Sequence, residues 1–556
     1  MNVSDILLKV LAANGVRQVF GIPGDAINDI TDAIRRQDVL QFIQVRHEEA
    51  GAFAASAQAK FTGKLAACMG TAGPGAIHLL NGLYDARLDH APVVAITGQV
   101  ETGHIGTEQH QEVRLERLFA DVAVYSQTVV SEQQVPAVFL EACHAAIVHR
   151  GVAHISLPTN IAGKTASFDG SHQLTAALPG HITPDDQQCD AAIDLINRSK
   201  KIAILAGVGC RSARDELLAF AEALKAPIIR TLKAKEVIDD DHPYCIGGLG
   251  LLGGYPAAKA ISDCDLMIMI GSDFPYQDFY PESARIIQID IDPTQIGKRR
   301  AVDVGLVGHA KPTLAMLMSG VKKDERGDEF LLARQKDMQH LLDSQRKLEN
   351  SDACPISPPR LLRVLAELAP ADAIFTCDTG TITAWFARHF KIKAQQRYAL
   401  SGGLASMAFA FPAAIGAQLA FPDRRVFALA GDGAFTMLMG DFITAVKYKL
   451  PIVVIVLNNK RLAFIKLEQE AKGLPEWGTD LLNPDFAAFA RACGGRGYSV
   501  TRPEDLETTI KNAIDDREPA IVDVEVDPDA LIMPPQIKFS QALGFSLAKM
   551  REVFSE

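Results

Sequence analysis

The chain contains 556 residues, of which 48% are hydrophobic and 22% are charged. A single hydrophobic core stops growing beyond about 250–300 residues, so this length predicts several globular domains. The formal net charge of −11 argues against nucleic acid as a partner, because phosphate binding requires concentrated positive charge. The nine cysteines include no C-x-x-C pair, which argues against a disulfide framework or a zinc site and favours a reducing, cytoplasmic location.

The N-terminal residues predict an amphipathic helix and not a signal peptide. Ile6, Leu7, Val10 and Leu11 recur at helical spacing, and Asp5 stands where a signal peptide carries basic charge. No apolar run approaches the roughly 18–20 residues that cross a bilayer. We therefore expect a soluble protein with at most a peripheral contact at the inner face of the membrane.

Three blocks of apolar strands and amphipathic helices follow one another along the chain. Glycine and proline punctuate the strand ends, as in Gly73-Pro-Gly75, which is typical of α/β domains with a doubly wound parallel sheet. Residues 161–186 lack periodicity and predict a linker. The predicted domains are residues 1–165, 186–325 and 355–530, and a tail follows over residues 531–556. The predicted strands are Gln18–Phe20, Leu65–Cys68, Val93–Ile96, Ala153–Leu157, Ile202–Leu205, Pro227–Ile229, Leu266–Ile270, Ile286–Ile289, Ala373–Thr376, Val426–Ala430, Ile452–Leu457 and Ala520–Val526.

The clearest chemical signal is a pair of polar turns that end two apolar strands. One strand runs into Gly431-Asp432-Gly433, and the next apolar strand runs into Asn458-Asn459. Glycine lets the backbone approach a phosphate, and Asp432 and Asn459 offer hard oxygen ligands to Mg²⁺. Both turns lie at the carboxyl edge of a parallel sheet, where α/β folds bind ligands. Either turn alone is an ordinary loop, but the pair predicts a Mg²⁺–diphosphate site and matches the thiamine diphosphate signature.

Such a site requires a carboxylate that activates the pyrimidine ring of the cofactor. Glu48 lies in Arg46-His-Glu-Glu49, directly before the alanine-rich segment Ala50–Ala59, which predicts a helix in a tightly packed interface. A lone charged cluster of this kind is usually a solvated helix start. Next to a diphosphate site, we expect Glu48 to bond the pyrimidine N1′, so that the 4′-imino nitrogen removes the C2 proton of the thiazolium.

The sequence resembles the pyruvate oxidase branch of the thiamine diphosphate-dependent enzymes, a family that also contains acetolactate synthases and pyruvate decarboxylases. The resemblance covers nearly the whole chain. It is carried by GIPGDAIND, RHEEAGAFAASAQAKFTGK, GTAGPGAIHLLNGLYDA, GSDFPYQDFYPESARIIQIDIDP, ALAGDGAFTMLMGDF, LPIVVIVLNNKRLAFIKLEQE and MPPQIKFSQALGFSL. It implies domains in the order pyrimidine-binding, FAD-binding and diphosphate-binding. It also implies a homo-oligomer, a tetramer, whose active sites form between the first domain of one subunit and the third domain of another.

The resemblance also implies roles for residues around the reacting centre. Glu48 is the implied activating glutamate, and Gln111 lies over the substrate. Met407 is the apolar wedge that bends the cofactor into its reactive shape. Phe464 and Glu468 lie on the helix that closes the pocket. A methionine or phenylalanine at such positions is by default core packing, so these roles depend on the family match.

The cofactor and metal contacts follow from the same resemblance. Asp432, Asn459 and the carbonyl oxygen of Arg461 are the implied protein ligands of Mg²⁺. The further implied contacts with thiamine diphosphate are Thr379, Gly380, Ala405, Ser406, Gly433, Ala434, Leu462 and Ala463, together with Phe464.

The evidence for FAD lies in the central domain. Gly207-Val-Gly209 follows an apolar strand but is too short to match the dinucleotide fingerprint. Asp290 or Asp292, at a strand end, suits a hydrogen bond from an adenosine ribose. The segments that resemble the flavin contacts of the oxidases contain Leu249, Gly250, Leu251, Leu252, Ser272, Asp273, Phe274, Pro275 and Tyr276. The alternative is a central domain that holds no redox cofactor, or one kept for structure, as in the acetolactate synthases.

Two features depart from the pattern of the oxidases. His110 stands where these enzymes usually carry phenylalanine; it either donates a proton near neutrality or only tunes the polarity of the pocket. The quinone-reducing relatives continue past the GFSL segment into an amphipathic lipid-binding helix. This chain ends at Glu556, so we expect no stable membrane docking.

The implied activity is the oxidative decarboxylation of pyruvate, or a close 2-oxo acid, through hydroxyethyl-thiamine diphosphate. Electrons pass to FAD and then to quinone or oxygen, and the product is acetate or acetyl phosphate. One alternative is a non-redox carboligase, lyase or decarboxylase of the acetolactate synthase type. Another is a catalytically inactive nucleotide-binding regulator, against which the presence of Glu48, Asp432 and Asn459 argues.

Overall fold

The computed structural model of the protein describes residues 1–167, 174–176, 180–322, 326–393 and 395–530. These residues form three parallel six-stranded sheets with helices between the strands. The predicted fold class, three doubly wound α/β domains, is therefore confirmed. The tail predicted over residues 531–556 lies outside the described residues.

The first sheet has the strand order β2-β1-β3-β4-β6-β5. Its strands are β1 (Gln18–Gly21), β2 (Gln41–Gln44), β3 (Ala66–Gly70), β4 (Val93–Gln99), β5 (Ala123–Thr128) and β6 (Val152–Pro158). The accompanying helices are α1 (Val3–Ala13), α2 (Asn28–Arg35), α3 (Glu48–Thr62), α4 (Pro74–His78), α5 (Leu80–Leu88), α6 (Leu115–Phe119), α7 (Ala137–Val148) and α8 (Thr159–Ala162). Helix α1 confirms the predicted N-terminal helix.

The central sheet has the strand order β12-β11-β10-β7-β8-β9. Its strands are β7 (Ile202–Ala206), β8 (Ile228–Arg230), β9 (Cys245–Gly248), β10 (Leu266–Ile270), β11 (Arg285–Asp290) and β12 (Val304–Val307). The helices of this region are α9 (Asp186–Arg198), α10 (Arg214–Leu224), α11 (Tyr255–Asp263), α12 (Ala310–Gly320) and α13 (Glu329–Glu349).

The third sheet has the strand order β14-β13-β15-β16-β18-β17. Its strands are β13 (Ile374–Cys377), β14 (Arg397–Leu400), β15 (Val426–Gly431), β16 (Val453–Asn458), β17 (Arg496–Val500) and β18 (Ala520–Glu525). The helices are α14 (Pro358–Leu368), α15 (Thr381–His389), α16 (Ala410–Ala420), α17 (Asp432–Leu438), α18 (Phe442–Lys447), α19 (Ala463–Ala471), α20 (Phe486–Ala492) and α21 (Leu506–Asp515).

The strands that the sequence predicts are the four interior strands of each sheet. The two edge strands of every sheet were missed: β2 and β5, β9 and β12, and β14 and β17. An edge strand has one side without a neighbouring strand, so it keeps polar residues and a weak apolar pattern. In β5, for example, every residue is at least partly exposed.

Each sheet reverses its direction of winding at one point. The reversal lies between β1 and β3 in the first sheet, between β7 and β10 in the second, and between β13 and β15 in the third. The crevice at such a reversal, outside the carboxyl ends of the strands, is where open α/β sheets bind ligands. The fold therefore offers three comparable crevices, one in each domain.

Helix α3 joins the first domain to the third. A Cβ built at Gly416 in α16 would lie 2.1 Å from the carbonyl oxygen of Ala54 in α3, so the two helices touch through their backbones. The ring of Phe53 meets Phe409 edge-on, with centroids 5.7 Å apart. One hydrophobic cluster runs through both domains. The alanine-rich sequence is thus explained by a close helix crossing, as predicted.

Among the residues that the structure describes, no helix combines the length and apolar character needed to span a bilayer.

His154 in β6 is fully buried and is bonded to both neighbouring strands, β4 and β5. Both ring nitrogens of His154 are hydrogen-bonded, Nε2 to Thr97 Oγ1 at 2.9 Å and Nδ1 to Ser126 Oγ at 2.8 Å. The ring also stacks on Phe119 with centroids 3.8 Å apart. Burial lowers the pKa of His154 to about 3, so the folded protein holds this ring neutral.

We expect His154 to weaken the fold as the pH falls. The unfolded chain protonates this ring below about pH 6.5, whereas the folded protein does so only near its pKa of about 3. The stability that the neutral ring provides is complete above pH 6.5 and is lost as the pH falls, by about 2 kcal/mol at pH 5. The thermal midpoint of His154→Gln should therefore fall less between pH 7 and pH 5 than that of the parent protein. The exposed His149→Gln variant is the control, and equal pH slopes for all three proteins would contradict the assignment.

Candidate functional site

The third domain brings its polar strand ends together at the reversal of its sheet. Strands β13, β15 and β16 are neighbours, so Asp378, Asp432 and Asn459 follow three adjacent carboxyl ends. A Cβ built at Gly380 or Gly431 would meet no atom within 4 Å. The space above these strand ends is therefore open to a ligand.

Asp432 is the centre of this crevice. It is 2% exposed, and its Oδ2 accepts hydrogen bonds from the backbone N–H of Lys460 and from Asn483 Nδ2, both at 2.7 Å. Its Oδ1 accepts the N–H of Gly433 at 2.9 Å. Burial raises the pKa of Asp432. A nearby cation would favour its ionised form.

The turn after β16 carries Asn459, the second predicted oxygen ligand, and is bonded to Asp432 through the backbone N–H of Lys460. Asn459 Oδ1 accepts the N–H of Arg461 at 3.1 Å, and Lys460 between them has a left-handed backbone with φ of 57°. Because the Lys460 N–H bonds to Asp432, the whole turn is tied to that carboxylate. Asn458 Nδ2 donates to Asp523 Oδ1 at 3.0 Å, so Asn458 ties the turn to the neighbouring strand β18.

The loop from Ala405 to Ala408 forms one wall of the crevice. Ala405 and Ala408 both have positive φ, 58° and 69°, which turns the loop tightly around Met407. A Cβ built at Gly433 would lie 3.7 Å from Met407 Cε. Met407 therefore lies against the start of α17, as a wedge over a diphosphate site requires.

A buried carboxylate that the sequence analysis did not select holds this loop. Asp378 Oδ1 accepts the N–H of Phe409 at 3.1 Å and the N–H of Thr379 at 3.2 Å. Its Oδ2 has no hydrogen-bond partner among the described residues. Burial raises the pKa of Asp378 to about 7. Asp378 thus connects the predicted contacts Thr379 and Gly380 with the loop that carries Met407.

Helix α19 closes the opposite side. A Cβ built at Gly433 would lie 3.0 Å from both Leu462 Cδ2 and Leu481 Cδ1, so both leucines pack closely on the start of α17. Phe464, in the first turn of α19, packs against the third-domain core. Ala434 is buried in α17, Ala463 begins α19, and Glu468 is exposed on α19.

Glu48 begins helix α3 in the first domain and is 7% exposed. Its Oε2 lies 3.0 Å from His78 Nδ1, and a Cβ built at Gly75 would lie 3.1 Å from its Oε1. His47 caps the helix, because its Nδ1 accepts the N–H of Glu49 at 3.2 Å. His47, Glu48 and His78 bring their ligand atoms within 4.8 Å of one another. The acceptor nitrogen of a neutral His47 is already used by the cap, so this group is a hydrogen-bonded cluster around Glu48.

The segment that carries Gln111 and His110 lies next to the same glycine-rich turn. Gln111 has a positive φ of 63°, and a Cβ built at Gly73 would lie 3.0 Å from the carbonyl oxygen of Gln111. Gly73 and Gly75 flank Pro74, so Gln111 and Glu48 contact opposite ends of one short turn. His110 is exposed.

In the central domain, the two segments predicted to contact FAD pack on each other. Gly250 has φ of 102°, and a Cβ built there would lie 3.3 Å from Tyr276 and 3.4 Å from Phe274. Leu249 and Phe274 are buried, whereas Leu251 is 51% exposed. Arg388 Nε of the third domain donates to the carbonyl oxygen of Leu252 at 3.1 Å. Ser272 Oγ accepts the N–H of Phe274 at 3.2 Å, and Pro275 is exposed.

The glycines after β7 have a packing explanation. A Cβ built at Gly207 would lie 2.1 Å from the carbonyl oxygen of Gly271, and one at Gly209 would lie 2.8 Å from Gly271 Cα. The loops after β7 and β10 therefore touch at the reversal of the central sheet. Glycine is required here by the protein itself, whether or not a ligand binds above.

The two aspartates after β11 differ in what they bond. Asp292 caps a short 3₁₀ helix, because its Oδ1 accepts the N–H and the hydroxyl of Thr294 at 2.9 and 2.7 Å. Asp290 is 9% exposed and accepts the N–H of Asp292 at 3.0 Å. Burial raises the pKa of Asp290. Asp290 is thus the better of the two predicted acceptors for a ribose hydroxyl.

Charged side chains join all three domains next to these segments. Lys233 Nζ lies 3.4 Å from Asp273 Oδ1 in the central domain and 3.3 Å from Asp89 Oδ1 in the first. The other oxygen of Asp89 accepts the N–H of Gly402 in the third domain at 3.0 Å and pairs with Lys60 Nζ at 2.7 Å. The segment around Asp273 is therefore linked to the loop that leads to Met407.

Comparison with known proteins gives the family of this fold. The N-terminal thiamine pyrophosphate-binding domain of thiamine pyrophosphate enzymes matches residues 1–118, their central domain matches residues 189–317, and their C-terminal thiamine pyrophosphate-binding domain matches residues 378–524. The protein YdaP of Bacillus subtilis is 42% identical over 549 residues, which are 99% of this chain and 95% of that protein. This chain belongs to the thiamine pyrophosphate enzyme family.

Two further relatives within the family have named activities. The pyruvate oxidase of Lactiplantibacillus plantarum is 34% identical over 551 residues, 96% of this chain and 90% of that protein. The large subunit of acetolactate synthase isozyme 2 of Escherichia coli is 32% identical over 537 residues, 95% of this chain and 96% of that protein. Thiamine pyrophosphate, also called thiamine diphosphate, is the cofactor that these domains bind.

The third-domain crevice fits a diphosphate with its metal. Asp432 and Asn459 offer a carboxylate and an amide oxygen, and the carbonyl of Arg461 lies in the same turn, which is the all-oxygen set that Mg²⁺ prefers. Gly380 and Gly431 leave room above the strand ends. Asn483 and His78 were missed by the sequence analysis. Asn483 lies outside the quoted motifs, and His78 lies within GTAGPGAIHLLNGLYDA, where nothing local marks it as a partner of Glu48; the fold brings the two residues to Asp432 and Glu48.

Asn483 is expected to orient Asp432 for its metal. Its Nδ2 donates to Asp432 Oδ2 at 2.7 Å and to Asn458 Oδ1 at 3.0 Å. Loss of a group that orients a metal ligand typically weakens metal binding by about 10- to 100-fold. Asn483→Ala should raise by that factor the Mg²⁺ concentration needed for thiamine diphosphate binding, measured by tryptophan fluorescence. Asn512→Ala, at an exposed asparagine of α21, should bind like the parent, and unchanged Mg²⁺ dependence in Asn483→Ala would refute this role.

Proposed function

We propose that this protein decarboxylates pyruvate, or a close 2-oxo acid, oxidatively, passing electrons to FAD and then to quinone or oxygen and releasing acetate or acetyl phosphate. The observation that carries the proposal is the link from Asp273 through Lys233 and Asp89 to Gly402. It joins the segments suited to FAD with the loop of Met407. Electron transfer between thiamine and flavin requires such proximity.

Similarity to named relatives supports the same proposal. The pyruvate oxidase of Lactiplantibacillus plantarum is similar to this chain through all three domains. In the central domain, Asp290 is a buried acceptor at the end of β11, as a ribose hydroxyl requires. The packing of Gly250 on Phe274 and Tyr276 forms an apolar surface suited to a flavin ring.

The protein's own residues have separate roles in the proposed reaction. Bound thiamine diphosphate supplies the electron sink for decarboxylation, and bound FAD supplies the two-electron acceptor. Glu48 holds a proton at the pyrimidine N1′, and His78 holds the Glu48 carboxylate in place. Asp432, with Asn459 and the carbonyl of Arg461, holds Mg²⁺. Met407 excludes water from the space between Glu48 and the Mg²⁺ site.

Four further residues have proposed roles around the substrate. Gln111, on the turn next to Gly73, faces the substrate. Phe464 lies on the route from thiamine to flavin, and Glu468 on α19 closes the pocket. His110, next to Gln111 in the chain, donates a proton to the substrate or tunes the polarity of the pocket.

A second copy of the chain would complete the site. Large apolar side chains are exposed on the elements around Asp432: Met437, Ile465, Leu474, Trp477 and Leu482, with exposures of 46% to 102%. Exposed apolar patches of this kind mark interaction surfaces. We propose a homotetramer in which the first domain of one subunit covers this surface of another, so that Glu48 reaches a cofactor held by the other subunit.

A non-redox carboligase is the second candidate function. Acetolactate synthase isozyme 2 of Escherichia coli is 32% identical to this chain, close to the 34% of the pyruvate oxidase. Sequence identity alone does not distinguish the oxidase from the carboligase. The redox behaviour of a bound flavin distinguishes them.

The purified protein is expected to be yellow, and pyruvate added without oxygen should bleach its flavin absorbance. The bleaching follows from electron transfer to FAD, and oxygen or a soluble quinone should restore the colour. Product analysis with and without phosphate then distinguishes acetyl phosphate from acetate. A flavin that pyruvate cannot bleach, with acetolactate as the product, would contradict the oxidase proposal and support the carboligase.

Glu48→Gln is expected to lower product formation by about 100-fold or more, because a positioned proton donor or acceptor contributes about 10²–10⁴-fold. Glu49→Gln is the matched control, since Glu49 lies in the same first turn of α3 and its Oε1 accepts a hydrogen bond from Asn81 Nδ2 at 2.6 Å. It should keep most of its activity. Equal rates for Glu48→Gln and the parent protein would show that the catalytic assignment is wrong.

A further inference from the structure

Asp441 is a buried carboxylate of the third domain that bonds the first domain. It is 1% exposed and lies between α17 and α18. Its Oδ1 accepts the backbone N–H of Arg46 at 2.8 Å and the hydroxyl of Thr444 at 2.8 Å. Burial raises the pKa of Asp441 to about 6, and the N–H groups of Arg46 and His47 act in the opposite direction. The carboxylate therefore bonds the two residues that directly precede Glu48.

The strand before Glu48 is bonded to the same part of the third domain. The N–H of Gln44, the last residue of β2, donates to Tyr448 Oη at 2.8 Å. The same hydroxyl donates to the carbonyl oxygen of Phe42 at 3.2 Å, and Lys447 Nζ donates to Gln44 Oε1. As an edge strand, β2 has free backbone groups on one side. Tyr448 bonds two of them, and we call the contact of residues 441–448 with residues 42–46 the α18 clamp.

The α18 clamp fixes the backbone from which Glu48 projects. Its other end is continuous with α17, which starts at the proposed metal ligand Asp432. The side chain of Glu48 is held separately by His78. Asp441 is the buried carboxylate of the clamp, and its partner Arg46 is the clamped residue nearest to Glu48 along the chain.

We propose that Asp441 is a positioning residue that acts through Glu48, by holding the backbone of Arg46 and His47 so that the Glu48 carboxylate reaches the pyrimidine of thiamine diphosphate. This inference rests on the proposed role of Glu48. A misplacement of about 1 Å in such a group lowers rates by about 100-fold. Loss of the clamp should therefore slow activation of the cofactor more than it weakens cofactor binding.

The test is the exchange of the C2 proton of bound thiamine diphosphate with deuterium, measured by acid quench and NMR on the Mg²⁺-loaded holoenzyme. Asp441→Ala should slow this exchange by about 10- to 100-fold, and Asp441→Glu should recover part of it. Asp505→Asn is the matched control, because its carboxylate lies in the same domain and bonds Arg502. It should exchange at the parent rate.

The double variant Asp441→Ala/Glu48→Gln separates positioning from general stability. If Asp441 acts through Glu48, the double variant exchanges no more slowly than Glu48→Gln alone. A purely structural role would instead give additive losses and a matching fall in the affinity for thiamine diphosphate, which would overturn the inference. If Asp441→Ala does not fold, Asp441→Asn replaces it, because it keeps the size of the side chain. Its exchange rates, alone and combined with Glu48→Gln, are interpreted by the same criteria.

The outcomes also separate this inference from the proposed function. A parent-like exchange rate in Glu48→Gln would refute the role of Glu48 on which both depend. Slow exchange in Glu48→Gln with a parent-like rate in Asp441→Ala and Asp441→Asn would refute the inference alone.

Discussion

Asp432 is a buried carboxylate at the carboxyl end of β15, and the hydrogen bonds that it accepts from Lys460 and Asn483 hold three chain segments around one charge. A buried charge is costly unless it is paired. Here burial raises the pKa of Asp432, and a divalent cation would lower it again. A metal ion with its diphosphate would therefore complete the electrostatics of this site. The turn of Asn459 and the start of α17 depend on this carboxylate, and the wall formed by Met407 packs against the same helix start.

The fold could be predicted from the sequence wherever strands are buried on both faces. Strands such as β15 and β16 are continuous apolar runs, as central parallel strands must be. The six strands that the sequence analysis missed are the six sheet edges. A strand such as β2 is stabilised by one neighbouring strand and by Tyr448, which lies 404 residues away in sequence from its partner Gln44. A local sequence pattern cannot indicate a contact between residues so far apart in the chain.

The site could be predicted where one motif carries the chemistry. Gly431-Asp432-Gly433 and Asn459 lie in neighbouring strand-end turns as expected, because parallel strands bring their carboxyl ends to one edge. Asn483, His78 and Asp441 could not be found, since each acts through a partner distant in sequence. Gly207 and Gly209 are required by their contact with Gly271, so their presence alone does not indicate a ligand, and their contact with FAD stays a prediction. The individual roles of the predicted site residues stay predictions.

The central claim is that Asp432 and Mg²⁺ together hold thiamine diphosphate at the reversal of the third sheet. Titration of the cofactor-free protein with thiamine diphosphate, with and without Mg²⁺, tests it most directly when the parent is compared with Asp432→Ala. We expect saturable binding that requires Mg²⁺ in the parent and is lost in Asp432→Ala at the same concentrations, while the thermal midpoint without cofactor is retained. Binding by Asp432→Ala with the affinity and the Mg²⁺ dependence of the parent would contradict the account.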